Sequence, residues 1–113
     1  MHEMSLMMQI FDIINQTISD YKVKKVKRVT LKVGKMSNVM PDSLSFCFEV
    51  LSEGTKCEGA ELVIQETPLT GRCLDCQKEF TSEGFPLACP NCGSRNTRMI
   101  GGTELAIESI EAE

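Results

Sequence analysis

The sequence has only one histidine, few aromatic residues and no long apolar run. The single histidine, His2, leaves no acid–base or nucleophilic constellation, so we do not expect an enzyme. The segment that carries four of the six cysteines has only Phe80 and Phe85 as aromatic residues, whereas proteins that bind single-stranded nucleic acid stack bases on aromatic side chains. No apolar run approaches the ~20 residues that cross a bilayer, so no membrane span is expected.

The sequence also lacks a secretion signal and an excess of positive charge. Met1, His2 and Glu3 provide no basic leader, and the segment behind them is amphipathic. We therefore expect an intracellular, cytoplasmic protein. The formal net charge of −4 argues against a phosphate-backbone partner. Basic residues concentrate within 22–35, which is either a solvated strand face or a surface for an acidic protein partner.

The apolar pattern predicts two amphipathic helices. In the first, over roughly residues 4–21, apolar side chains recur at steps of three and four: Met4, Met7, Phe11, Ile14, Ile18 and Tyr21. The second begins near Pro41, which suits a first helical turn, and ends near Gly54. Its predicted apolar face consists of Leu44, Cys47, Phe48 and Leu51.

Three segments have strand character: residues 24–33, 61–66 and 104–111. In the first, alternation places Val29, Leu31 and Val33 inside and Arg28, Thr30 and Lys32 outside. The element order predicts an α+β fold with two helices packed on a three-stranded sheet and an inserted four-cysteine zinc ribbon. The predicted domains are 1–67 plus 102–113, which form the α+β domain, and 68–101, which form the ribbon.

Two CxxC motifs, separated by twelve residues, carry the strongest chemical signal in the chain. Each motif places two sulfurs on one tight turn, and two such turns complete the tetrahedral thiolate site that structural zinc prefers. The motif predicts one structural Zn(II) on four cysteines: Cys73, Cys76, Cys89 and Cys92. Four cysteines also bind iron–sulfur clusters, and a CxxC motif can be a redox pair, so both remain alternatives.

The N-terminus is a second candidate metal site. Behind Met1, His2 supplies an imidazole next to an α-amine and deprotonatable backbone amides, a nearly planar nitrogen set that suits Ni(II) or Cu(II). A terminal histidine can equally be a disordered residue without a role. Six of the seven methionines precede residue 41, where they either fill the core or bind Cu(I). The residues alone leave these alternatives open.

Six segments together resemble the HypA/HybF family of hydrogenase maturation factors. They are Met1-His2-Glu3-Met4-Ser5-Leu6, Val29–Gly34, Phe46–Leu51, Gly59–Leu62, Cys73–Cys76 and Cys89–Asn96. The resemblance covers essentially the whole chain with the motifs in order. It is specific because the N-terminal histidine and the cysteine ribbon occur together.

The resemblance implies a nickel metallochaperone for maturation of [NiFe]-hydrogenase and, in some bacteria, of urease. It implies that Ni(II) is held by the Met1 amine, the His2 side chain and amide, and the Glu3 amide, with zinc on the four cysteines. It also implies delivery to the hydrogenase large subunit with the accessory GTPase HypB, and a urease accessory protein as a further partner. No nucleic-acid or membrane partner is expected, and the chain is expected to be a monomer or a homodimer. The alternative function is a zinc-ribbon interaction or nucleic-acid module with an incidental His2.

The chain departs from the family pattern after its first predicted strand. Many members carry an acidic residue, linked to the nickel site, at the position that Met40 occupies here. Asp42, two residues further on, is the nearest substitute carboxylate.

Overall fold

The computed structural model describes residues 3–113, which form two helices and six strands. In chain order these are α1 Glu3–Asp20, β1 Val26–Gly34, α2 Pro41–Ser52, β2 Glu61–Thr67, β3 Leu69–Cys73, β4 Glu79–Ser82, β5 Thr97–Gly101 and β6 Leu105–Ala112. One sheet has the strand order β2-β1-β6 and the other β4-β3-β5. The predicted α+β fold, with two helices, a three-stranded sheet and an inserted cysteine ribbon, is confirmed.

The chain divides into two compact units. The helical unit comprises the described residues as far as Leu31, together with Asn38–Gln65 and Ala106–Glu113. The ribbon unit comprises Lys32–Ser37 and Glu66–Leu105. The ribbon unit therefore includes the end of β1 and the turn behind it, in addition to the three strands of the second sheet.

The two helices of the helical unit contact each other through apolar side chains. α1 buries five residues at helical spacing: Met7, Ile10, Phe11, Ile14 and Ile18. The rings of Phe11 and Phe48 lie with centroids 5.4 Å apart, a distance at which aromatic pairs attract each other. Met4 and Tyr21, which the spacing places on the buried face, are exposed: Met4 lies in the first turn of α1, and Tyr21 follows its last residue, Asp20. Ile10 takes part in the core instead.

The central strand β1 carries the buried face of its sheet. Val29, Leu31 and Val33 are buried, as the alternation predicts. Thr30 was predicted to face solvent but is only 7% exposed. Because β1 lies between β2 and β6, neighbouring strands flank Thr30 on both sides, whereas only one strand would flank a residue of an edge strand.

Helix α2 begins with the proline that the sequence indicates. Pro41 occupies its first turn behind Met40, whose side chain makes no capping hydrogen bond. The helix buries Leu44, Cys47, Phe48 and Ser52, whereas the predicted Leu51 is only half-buried. The chain leaves the helix through Gly54, whose φ of +74° favours glycine.

The ribbon unit is built around β3, which pairs antiparallel with both β4 and β5. A register shift between Thr70 and Gly71 marks an irregularity in the pairing with β5. The end of β1 is tied to the same unit by two backbone hydrogen bonds, from Gly34 N to Glu104 O and from Met36 N to Gly102 O.

Candidate metal centre

The four cysteines of the two CxxC motifs meet at one point of the ribbon unit. Cys73 is the last residue of β3, Cys76 follows in the turn before β4, and Cys89 and Cys92 lie in the segment before β5. All four Sγ atoms lie within 4.8 Å of one another. The Cys73–Cys92 and Cys76–Cys89 sulfurs are each 3.6 Å apart. Metal–sulfur bonds of ~2.3 Å in a tetrahedron place sulfurs about 3.8 Å apart, so the arrangement fits one metal ion.

Backbone hydrogen bonds shape both cysteine turns. In the first turn, Cys76 N donates to Cys73 Sγ at 3.4 Å. In the second, Gly93 N donates to Cys89 O at 2.7 Å. Each turn is followed by a residue with positive φ, Gln77 at +65° and Gly93 at +75°. In each turn, a residue with a left-handed backbone conformation directly follows the second cysteine. Glycine adopts this conformation readily, whereas glutamine adopts it less often.

Asp75 links the two turns to each other. Its carboxylate accepts a short hydrogen bond from Ser94 Oγ and a second, of 3.1 Å, from Asn96 Nδ2. The hydrogen bonds from Ser94 and then Asn96 lower the pKa of Asp75 below its ordinary value. Hydrogen bonds of this kind, made by residues next to the cysteines, would hold the cysteine side chains in position for a metal ion. The cysteine spacing does not reveal this link. The only indication of it in the sequence is that three polar residues, Asp75, Ser94 and Asn96, lie within or close to the two motifs.

The thiols are unequal in their tendency to ionise. The backbone N–H of Lys78 lowers the pKa of Cys76 to about 6, and the side chain of Asn91 acts in the same direction. The backbone N–H of Ser94 lowers the pKa of Cys92, but neighbouring thiols, Cys73 first, and desolvation outweigh it and raise that pKa to about 12. Adjacent thiolates repel one another, so a bound cation is what allows all four to ionise together.

The four cysteines also differ in their access to solvent. Cys73 and Cys89 are buried, Cys76 is half-buried and Cys92 is exposed. The remaining two cysteines lie elsewhere: Cys47 and Cys57 are both buried, in the helical unit. Burial raises the pKa of the Cys57 thiol, against a smaller opposite effect of Thr55. These two cysteines therefore belong to the core, as the helical spacing predicts for Cys47, whereas the sequence alone assigns no role to Cys57.

Of the predicted nickel ligands, Met1 and His2 lie outside the described residues. Glu3 opens α1, and its Oε2 accepts a hydrogen bond of 3.3 Å from Met40 N. Met40, the residue that departs from the family pattern, is thus hydrogen-bonded to Glu3 through its backbone N–H. A cavity of about 500 Å³ opens beside this contact, lined by Glu3, Met4, Asp42, Ser43, Phe46 and Cys47.

No helix in the described part of the chain is long and apolar enough to cross a membrane.

The fold and the cysteine site together define a small α+β metal-binding protein. A family model described as "Hydrogenase/urease nickel incorporation, metallochaperone, hypA" matches residues 1–112. The chain belongs to this HypA family. Because the family is one of metallochaperones and maturation factors, the expectation that the chain is not an enzyme is confirmed.

Similar proteins extend over the whole chain. A hydrogenase maturation factor HypA from Desulfitobacterium hafniense is 45% identical over 113 residues, covering 100% of this chain and 99% of its own length. The HypA protein of Geobacter metallireducens is 39% identical and is covered completely. The solution structure of the Ni metallochaperone HypA from Helicobacter pylori has a TM-score of 0.71 at 24% identity, covering 99% of this chain and 97% of that one. At that identity the structural likeness establishes the fold alone.

Proposed function

We propose that this chain binds Ni(II) at its N-terminus and delivers it during maturation of [NiFe]-hydrogenase, with urease as a second destination. The ligands in this proposal are the Met1 amine, the His2 side chain and amide, and the Glu3 amide. The observation that carries the proposal is the match of the HypA family model to residues 1–112, which includes the N-terminal residues.

The position of Glu3 at the start of α1 supports a metal site there. The first N–H groups of a helix have no acceptor within it, so binding nickel through the Glu3 amide costs no helical hydrogen bond. The Glu3 carboxylate is engaged with Met40 N, which holds the start of the helix against the α2 side of the helical unit. Glu3 and Asp42 also make the neighbouring cavity acidic, which favours a divalent cation. Asp42 is thereby the carboxylate best placed to stand in for the acid that Met40 replaces.

The second part of the proposal is that the four-cysteine site binds Zn(II) with a structural role. A closed set of four thiolates suits zinc and leaves no position for a substrate. Sulfur distances of 3.6 Å favour one ion over a cluster, in which different irons bind the different cysteines. In this proposal residues 1–67 with 102–113 form the nickel-binding domain, and 68–101 form the zinc ribbon.

The partners follow from the same role. The chain acts in the cytoplasm, as a monomer or homodimer, with the accessory GTPase HypB and the hydrogenase large subunit, and with a urease accessory protein where urease is served. Neither nucleic acid nor a membrane is a partner in this proposal.

The test is a Ni(II) titration of protein that begins at Met1, compared with protein carrying Gly-Ser-Gly-Ser ahead of Met1, an extension that keeps the new α-amine well away from His2. The same four residues added behind Glu113 are the matched control. The native and control proteins should bind equimolar Ni(II) with the absorption of a planar complex. The N-terminally extended protein should lose that absorption, because the α-amine no longer lies next to His2. Bound zinc should be equal in all three proteins.

His2→Ala should likewise abolish the planar complex. Undiminished affinity and planar absorption in the extended protein would refute the terminal chelate. Retention of nickel by His2→Ala with unchanged spectroscopy would have the same meaning.

A further inference from the structure

Two arginines face each other across adjacent strands of the ribbon sheet. The pairing of β3 with β5 sets Arg72 directly opposite Arg98, and the pairing of β3 with β4 sets Arg72 opposite Glu79. Directly opposite residues lie on the same face of a sheet, and like charges placed in this way destabilise it. An anion bound at both arginines would therefore offset the repulsion between them.

The protein does not supply that anion in the part of the chain that the structure describes. Within residues 3–113, neither Arg72 nor Arg98 lies within 4.0 Å of a carboxylate, even though Glu79 is the cross-strand neighbour of Arg72. Arg28 shows the contrast, since it pairs with both Glu61 and Glu111. The guanidinium groups of Arg72 and Arg98 thus remain available to a ligand.

A cavity of about 290 Å³ lies at this pair of arginines. Its walls are Arg72, Cys73, Leu74, Gln77, Arg98 and Ile100. Leu74 and Ile100 are 49% and 47% exposed, so each offers an aliphatic surface beside the charges. Arginine forks bind carboxylates in bidentate geometry, and the amide of Gln77 adds a neutral donor.

The dimensions and chemistry of the cavity favour a protein segment over nucleic acid. The volume lies at the lower end of the range for small-molecule sites, so it suits one or two side chains. No aromatic residue lines it for base stacking. The chain as a whole is acidic, with a formal net charge of −4, which does not favour a phosphate-backbone partner.

We propose that Arg72 and Arg98 bind a carboxylate of an acidic segment of a partner protein, whose neighbouring aliphatic side chain packs on Leu74 and Ile100. This site is separate from the N-terminal nickel ligands and does not depend on the proposed function. Arg72 precedes Cys73 in the chain, and Arg98 follows Thr97, the cross-strand partner of Cys73, so the competing role is neutralisation of the zinc-bound thiolates. Successive residues of a strand face opposite sides, which places Arg72 on the exposed face and Cys73 in the interior.

The test uses the zinc-loaded full chain and a fluorescein-labelled peptide of sequence Gly-Ser-Glu-Leu-Glu-Leu-Ser-Gly, followed by fluorescence anisotropy. Arg72→Gln and Arg98→Gln should each weaken binding about tenfold, because each removes a charge-assisted contact. Arg95→Gln, an arginine of the same unit that does not line the cavity, is the matched control and should leave the affinity unchanged. Arg72→Lys should fall between Arg72→Gln and wild type, since it keeps the charge without the fork.

Four outcomes would overturn the proposal. They are no binding of the peptide by wild type, equal affinity for the peptide with Lys in place of Glu, stronger binding of an oligothymidylate than of the peptide, and equal affinity of wild type and both Gln variants. Zinc transfer to a chelator tests the competing role of the arginines. Faster transfer from the Gln variants than from wild type, with unchanged peptide binding, would assign the arginines to the thiolates.

Sedimentation of wild type and the double Gln variant tests whether a second copy of this chain occupies the site. A dimer that only wild type forms would make the occupant a second copy of this chain.

Discussion

At the scale of single residues, Gly34 is the position where the ribbon unit leaves no space for a side chain. A Cβ built on Gly34 would lie 2.2 Å from the carbonyl oxygen of Gly102, which is backbone and cannot turn away. Two backbone hydrogen bonds join the same segments: Gly34 N donates to Glu104 O, and Met36 N donates to Gly102 O. Glycine at position 34 is thus required by close approach of two chain segments.

We expect Gly34→Ala to lower the free energy of unfolding of the ribbon unit by about 3 kcal/mol, because the backbone must separate and lose these hydrogen bonds. Gly84→Ala is the matched control, since its Cβ would meet nothing within 4 Å, and its effect should be within about 0.5 kcal/mol of zero. Denaturant unfolding of the zinc-loaded proteins measures both. Equal stability of the two variants would contradict the close approach.

At the scale of elements, the turn between β5 and β6 is closed by a carboxylate. Glu104 Oε1 accepts a hydrogen bond from Gly102 N, where φ is +124°. Backbone N–H groups, first that of Gly102 and then that of Glu104 itself, lower the pKa of Glu104. The charged carboxylate therefore stabilises the turn that Gly34 and Met36 contact.

This contact makes a defined contribution to pH dependence. Because the folded pKa of Glu104 is depressed, its stabilising effect is fully present above the ordinary glutamate value of about 4.3 and is lost as pH falls through the folded pKa. The carboxyl ¹³C resonance of Glu104 should titrate below that ordinary value. Glu104→Gln should be less stable than wild type at pH 7, and the difference should shrink on acidification below about pH 4. A normal titration midpoint for Glu104 would show that the contact does not form in solution.

At the scale of the whole molecule, the two units differ in what stabilises them. The helical unit buries a continuous apolar set that includes Met7, Phe11, Ile14, Leu31, Leu44 and Phe48. The buried hydrophobic residues of the ribbon unit are only Val33, Leu69, Cys73, Leu87 and Cys89. Two of these five, Cys73 and Cys89, belong to the four-cysteine cluster. A metal ion bound there would therefore contribute far more to the stability of the ribbon unit than to that of the helical unit.

Removal of the metal with a chelator should unfold the ribbon unit selectively. Amide resonances of β3, β4 and β5 should lose their dispersion, whereas helical circular dichroism at 222 nm from α1 and α2 should persist because their core contains no ligand. Re-addition of Zn(II) should restore the resonances. Simultaneous loss of the helical signal would mean that the metal stabilises both units together.

The sequence anticipated the features that have a local signature. Helical spacing identified α1 and α2 within two residues, and the paired CxxC motifs identified the four cysteines that the structure brings together. It did not anticipate contacts that depend on pairing between strands. The juxtaposition of Arg72 and Arg98 follows from a register that includes an irregularity at Thr70, and no periodicity within one strand contains that information. Burial of Thr30 likewise follows from the central place of β1 among its neighbours.

The uneven exposure of the four clustered cysteines has a kinetic consequence for a metal held by them. A competing ligand would approach such a metal from the side of Cys92, which is exposed, because Cys73 and Cys89 are buried and Cys76 is half-buried. Cys92 would be the first cysteine to give way to an incoming donor, while the less exposed cysteines would still hold the ion. The rate of release should rise with the concentration of the incoming chelator and fall with its bulk. A metal held by this site would thus be exchangeable without prior unfolding of the ribbon.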